Sequence, residues 1–78
     1  MIRAVLVEAP EGPWRLYRQQ QWMAEVRRDP SAADRPRHHF DIEEPGFAEA
    51  LEALPRPEAE PDPLALLARV GAIAVPRP

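Results

Sequence analysis

Cysteine is missing from the 78-residue chain, and so are lysine and threonine. Without cysteine there is no disulfide framework and no thiolate metal site. Small secreted domains usually rely on such staples, so the expected home is the cytoplasm. The N-terminal MIRAVLVEAPEGP is too short and too acidic to read as a signal peptide. No apolar run approaches the roughly 18 residues of a membrane span, so no membrane partner is expected. Glycine is scarce: the three glycines match no phosphate-cradling loop. Serine occurs once, as Ser31, which with Tyr17 completes the set of candidate nucleophiles. A Ser31–His38/His39–Asp34/Asp41 arrangement would have no rigid scaffold and no oxyanion hole. Neither an enzyme nor a cofactor site is expected.

Proline and arginine dominate what is there. Eleven prolines interrupt nearly every candidate element, and all ten cations are arginine. Leu, Ile, Val and Phe number only 17, close to the level typical of disorder, and 13 alanines inflate the hydrophobic fraction. A chain this small buries a limited core and is a candidate for completion by a partner surface. Residues 1–39 carry seven Arg against five acids, and residues 40–78 carry eight acids against three Arg. The net charge of −3 argues against avid, non-specific nucleic-acid binding.

Local patterns predict a small α+β domain over 1–78: an N-terminal strand, three short helices and a short C-terminal strand, joined by Pro-rich extended segments. IRAVLVEA, 2–9, is apolar on both faces, as in a strand buried on both sides or paired with another chain. PEGP, 10–13, is a turn. Residues 14–28 are rich in helix formers, with Gly12-Pro13 ahead and Asp29-Pro30 behind, which predicts a helix. The alternative is a β-hairpin of 2–8 and 14–22 around PEGP, followed by two short helices. Residues 29–45 read as a loop, with 29–39 (DPSAADRPRHH) polar and proline-broken. The acidic, proline-spaced segment 46–78 follows. In it Phe47, Ala50, Leu51 and Leu54 lie at i, i+3, i+4 and i+7 and predict a second helix ending before Pro55. RPEAEPDP, 56–63, is an extended spacer. Asp62, Pro63 and Gly71 then suit the N-cap, first position and C-terminal cap of a third helix. AIAV, 72–75, closes as a strand expected beside IRAVLV.

WRLYRQQQW, 14–22, concentrates both tryptophans. On a helix, Trp14, Arg18 and Trp22 share one side, with Arg between two indoles. Trp, Tyr and Arg are hot-spot residues, so Trp14, Tyr17, Arg18 and Trp22 form one candidate contact set. The alternative is that one or both Trp cap the small core. Phe47, Leu51, Leu54, Leu64 and Leu67 form the second set, as anchors on helices lying along a partner. Aromatics with Arg also suit single-stranded nucleic acid, but no sustained basic patch supports that. His38 and His39 are adjacent and point apart on a helix or a strand, so no metal site is expected.

These features predict a small non-catalytic accessory protein that binds and wraps a larger protein or assembly, with self-association also open. DPLALLARVG, 62–71, resembles the tail of some small bacterial antitoxins, where a DPLL-type helix wraps the toxin. The resemblance covers ten residues. It implies an alternative: a DNA-binding regulator whose acidic segment covers a toxin. The rest of the chain shows no ribbon-helix-helix head.

Overall fold

A computed structural model describes residues 1–8, 14–54 and 62–77. β1, Ile2–Glu8, sits inside a four-stranded antiparallel sheet. Ile2, Ala4 and Leu6 are buried on one face, and Val5 and Val7 on the other. That is the double-sided burial its unbroken apolar run predicts. The first difference from the sequence reading comes next. Residues 14–18 are not helix: β2, Trp14–Arg18, pairs with β1 from Ala4↔Arg18 to Glu8↔Trp14. Helix propensity across this stretch is real but small, and cross-strand pairing overrides it. Trp14 and Leu16 alternate with Arg15 and Tyr17, so one apolar pair reaches the core. The hairpin alternative is thus the correct one here, although its strand stops at Arg18. The connecting residues 10–13 lie outside the described set.

The chain turns into α1, Gln19–Arg28, at Arg18, whose backbone stays extended (φ −68°, ψ 147°). The Arg18 N–H donates to Gln21 Oε1 at 3.3 Å, which satisfies a donor at the strand–helix junction. Arg27 and Arg28 occupy the last turn, at the negative end of the helix dipole. A short 3-10 helix, Pro30–Asp34, follows. Asp29 caps it, accepting from the Ser31 N–H at 3.2 Å and from the Ser31 hydroxyl at 2.7 Å. Ser31 is therefore a capping partner.

The second difference is β3, Arg37–Ile42, in a region that reads as loop. It pairs with β1 from Ile2↔Ile42 to Val7↔Arg37. Its alternation is His38, Phe40 and Ile42 on one face and Arg37, His39 and Asp41 on the other. α2, Glu44–Ala53, then buries Phe47 and Ala50, as its stripe predicts. α3, Pro63–Arg69, starts at the predicted cap: the Leu64 N–H donates to Asp62 Oδ1 at 3.1 Å. Gly71 ends it at φ +86°, a left-handed conformation that favours glycine. Residues 56–61 of the expected spacer lie outside the described set. β4, Ala74–Pro76, pairs with β3 and not with β1, whose two edges β2 and β3 already fill.

The sheet order is β2-β1-β3-β4. α2 and α3 cover one face, with α2 near β2 and α3 near β4. Between them Leu6, Ile42, Leu54, Leu66 and Leu67 are almost wholly buried. The opposite face carries α1 and the 3-10 helix. Their contact with the sheet is a smaller cluster of Val5, Val7, Trp22 and Ala32, flanked by Tyr17 and Val26.

At the β4 edge, the Arg77 N–H donates to the His39 carbonyl at 2.8 Å. Hydrogen-bonded and non-hydrogen-bonded pairs alternate in an antiparallel ladder. The neighbouring pair Phe40↔Pro76 is therefore non-hydrogen-bonded, and the Pro76 ring nitrogen faces away from β3.

Candidate functional site

α1 packs mainly on β1 and β2. Beside it, β3 and β4 present Arg37, His39, Asp41, Val75 and Arg77 on a half-face where no described helix packs extensively. The boundary between helix and bare strand is a groove of about 380 Å³. Its apolar lining is Trp22, Met23 and Val26 from α1 and Ala33 from the 3-10 helix. Its polar lining is Gln19, Arg27, Arg37 and His39. Met23 is 49% and Val75 52% exposed, so two sizeable apolar side chains border the open strip.

The electrostatics have one sign. No carboxylate is among the groove-lining residues described. Arg37 is held along the 3-10 helix, donating to the Ala33 carbonyl at 2.8 Å. Arg77 donates to Gln19 Oε1 at 3.3 Å and lies 3.8 Å from Asp41 Oδ1, tying β4 to the start of α1. His39 is held below the ordinary histidine range, first by burial and then by the positive groups of Arg37, Arg77 and His38. It is accordingly neutral near pH 7, in a field that favours an incoming anion.

A second groove, of about 440 Å³, runs between α3 and the approach to β4, lined by Leu64, Ala68, Gly71, Ala72, Ile73 and Ala74. It carries no charged residue among those lining it. Leu64 (41% exposed) and Ile73 (76% exposed) border it.

The first predicted contact set is not a shared helical face. Trp14 and Trp22 are each 4% exposed and lie on opposite faces of the sheet. The strand–helix break at Arg18 destroys the i, i+4, i+8 relation on which that face rested. Trp14 packs in the larger core, with its ring 5.9 Å from that of His38. Trp22 anchors α1 to Val5 and Val7, with the half-buried Tyr17 ring 5.3 Å away. Arg18 sits between no indoles. Its guanidinium lies 4.8 Å above the Phe47 ring and donates to Glu44 Oε1 at 3.3 Å, joining β2 to the start of α2. In the second set, Phe47, Leu54 and Leu67 are buried in the chain's own core, while Leu51 and Leu64 stay exposed.

His38 and His39 fall on opposite faces of β3. Among the described residues no three His, Cys, Asp or Glu side chains come together as a metal site. No described helix is long and apolar enough to cross a membrane. Compared with protein families, with curated proteins and with solved structures, the chain matches none.

The residues that sequence reasoning passed over are Met23, Val26, Arg27, Arg37, His39 and Val75. One signal was present. RHHFDI alternates polar and apolar residues from His39 onward with a period of two, the mark of a half-covered strand.

Proposed function

We propose that this chain is a small non-catalytic accessory protein of the cytoplasm, and that it binds a larger protein through the bare half-face of β3 and β4 beside α1. One observation carries the reading. Two helices cover the four strands on one side of the sheet, and a single helix with a short 3-10 turn covers them on the other. An antiparallel sheet can leave a face to water, but such a face is then polar throughout. Here Met23 stands half exposed on the lining of a groove beside α1, and Val75 stands half exposed on β4 of the same face, which suits a contact surface. The absence of cysteine suits a reducing compartment. The antitoxin alternative draws less support, because Leu66 and Leu67 of its wrapping segment are committed to the chain's own core.

The test is a tagged purification from the native cell with partners quantified by mass spectrometry, run in parallel for Val75→Asp and for Leu51→Asp. The reading expects a partner in fixed ratio with the parent chain and with Leu51→Asp, and at least a tenfold loss with Val75→Asp. Equal recovery with Val75→Asp in a chain of unchanged melting temperature would remove this face from the proposal.

A further inference from the structure

We infer that the outer edge of β2 pairs with β2 of a second copy of this chain, antiparallel, with Leu16 on the two-fold axis. The direction of each backbone group on β2 follows from a hydrogen bond on β1. The Glu8 N–H donates to the Pro36 carbonyl at 3.0 Å, so the Glu8 backbone faces the β3 side and the Glu8↔Trp14 pair is not hydrogen-bonded. Hydrogen-bonded and non-hydrogen-bonded pairs alternate along an antiparallel ladder. Arg15 and Tyr17 therefore turn their backbone groups to β1, and Trp14, Leu16 and Arg18 turn theirs outward. Arg18 agrees with this parity, since its N–H donates to Gln21 Oε1 at 3.3 Å. Among the described residues no strand lies beyond β2, and no backbone hydrogen bond outside its own ladder reaches Trp14 or Leu16. An edge of this kind is a template for a further strand. β4, the other outer strand, has three residues and contains Pro76, whereas β2 has five and no proline.

The sequence of the edge selects a copy of itself. WRLYR laid antiparallel on WRLYR, with Leu16 opposite Leu16, sets Arg15 opposite Tyr17 and Trp14 opposite Arg18. Each aromatic residue faces a guanidinium, and no two like charges stand directly opposite. The next registers that the backbone parity allows align only three residues of each strand, and one of them sets Arg15 against Arg15. Leu16 supplies a reciprocal pair of N–H to carbonyl bonds across the axis. The Trp14 carbonyl of one copy takes over the Arg18 N–H of the other from Gln21. Glu44, 3.3 Å from the Arg18 guanidinium, tempers the positive charge at the seam. A two-fold contact of this kind is closed, so association stops at the dimer. Five residues of pairing make a small interface, and the dimer is a weak one, with a Kd on the order of 100 μM. This edge lies at the opposite end of the sheet from β4, so the contact is separate from the half-face beside α1.

The experiment is sedimentation equilibrium of the full chain over two decades of concentration around that value, with isotope-filtered NMR on a mixture of labelled and unlabelled chain. The expected result is a monomer–dimer equilibrium with an intermolecular contact between the Hα protons of Arg15 and Tyr17. The Trp14 and Leu16 amides should gain exchange protection as concentration rises. A chain synthesised with a methyl group on the Leu16 backbone nitrogen lacks the outward donor and should dimerise at least tenfold more weakly. Circular dichroism checks that it folds, and the NMR contact on the parent chain decides the matter if it does not. A chain that stays monomeric throughout would overturn the inference. So would a dimer whose NMR contact joins Arg15 to Arg15, which assigns another register. Dimerisation that is lost with Val75→Asp, with no contact between copies at β2, would place self-association on the β3–β4 half-face and also overturn it.

Discussion

The two faces of this sheet do different work with the same four strands. On one, α2 and α3 bring Phe47, Ala50, Leu54, Leu66 and Leu67 against Leu6, Leu16, Phe40 and Ile42. On the other, α1 rests on Val5 and Val7 mainly through Trp22, with Ala32 beside it. The difference is one of redundancy. The first face spreads its burial over many medium-sized side chains, whereas the second concentrates it in one large one. A chain this short is only marginally stable, so both faces contribute to folding, the thick one through many side chains and the thin one chiefly through Trp22.

Substitutions can break that contrast or refine it. The largest effect is expected for Trp22→Ala, at about 3–5 kcal/mol by urea unfolding, because no neighbour can replace an indole on so small a cluster. α1 amides should lose exchange protection before those of α2 and α3. Uniform loss across all three helices would show that the faces are not separable. Leu66→Ala should cost about 2–5 kcal/mol, and here protection should fall throughout, since this face holds the fold together. Gly71→Ala comes next, at about 1–2 kcal/mol, from the left-handed backbone at φ +86°. It also brings a methyl to 2.6 Å from Glu49 Oε2, a flexible tip that can swing away. The same measurement would return under about 0.5 kcal/mol if the α3–β4 turn relaxed freely.

The smallest effect is a pH slope. In the folded chain His39 holds its proton less tightly than in the unfolded chain, because of burial and the charges of Arg37, Arg77 and His38. Between the two pKa values the unfolded state binds more protons, so stability rises with pH through that window. This contribution is complete above the ordinary histidine value of about 6.5 and is lost as pH falls through the folded value. His39→Gln should flatten the urea midpoint between pH 5 and 7, and an unchanged slope would show that His39 is not its origin.

Much of the thick face was legible in the sequence. The double-sided β1, the Phe47-Ala50-Leu51-Leu54 stripe and the Asp62-Pro63…Gly71 caps all follow from local rules that tertiary contacts did not override. What escaped was β2 and β3. WRLYR consists of residues that helices accept readily, and only its pairing with β1, six to fourteen residues upstream, makes it a strand. The reason for missing β3 is more instructive. Its outward side chains, Arg37, His39 and Asp41, face a part of the sheet that nothing in the chain covers. Their polarity made the strand read as loop. The bare surface that marks the candidate site is thus the same property that concealed the element carrying it. Of the contact residues proposed from Trp and Leu content, Trp14, Trp22, Phe47, Leu54 and Leu67 lie inside the chain's own core, where so small a domain needs its large apolar groups.

The orientation of Pro76 has a consequence for crowded solutions. A sheet can recruit further strands at its rim, one copy after another, wherever the rim offers donors and acceptors in sequence. At the β4 rim the proline supplies an acceptor and no donor, and β4 is only three residues long. Stacking of copies through that rim has no run of hydrogen bonds to propagate it. The protein therefore denies the β4 rim to fibril-like growth.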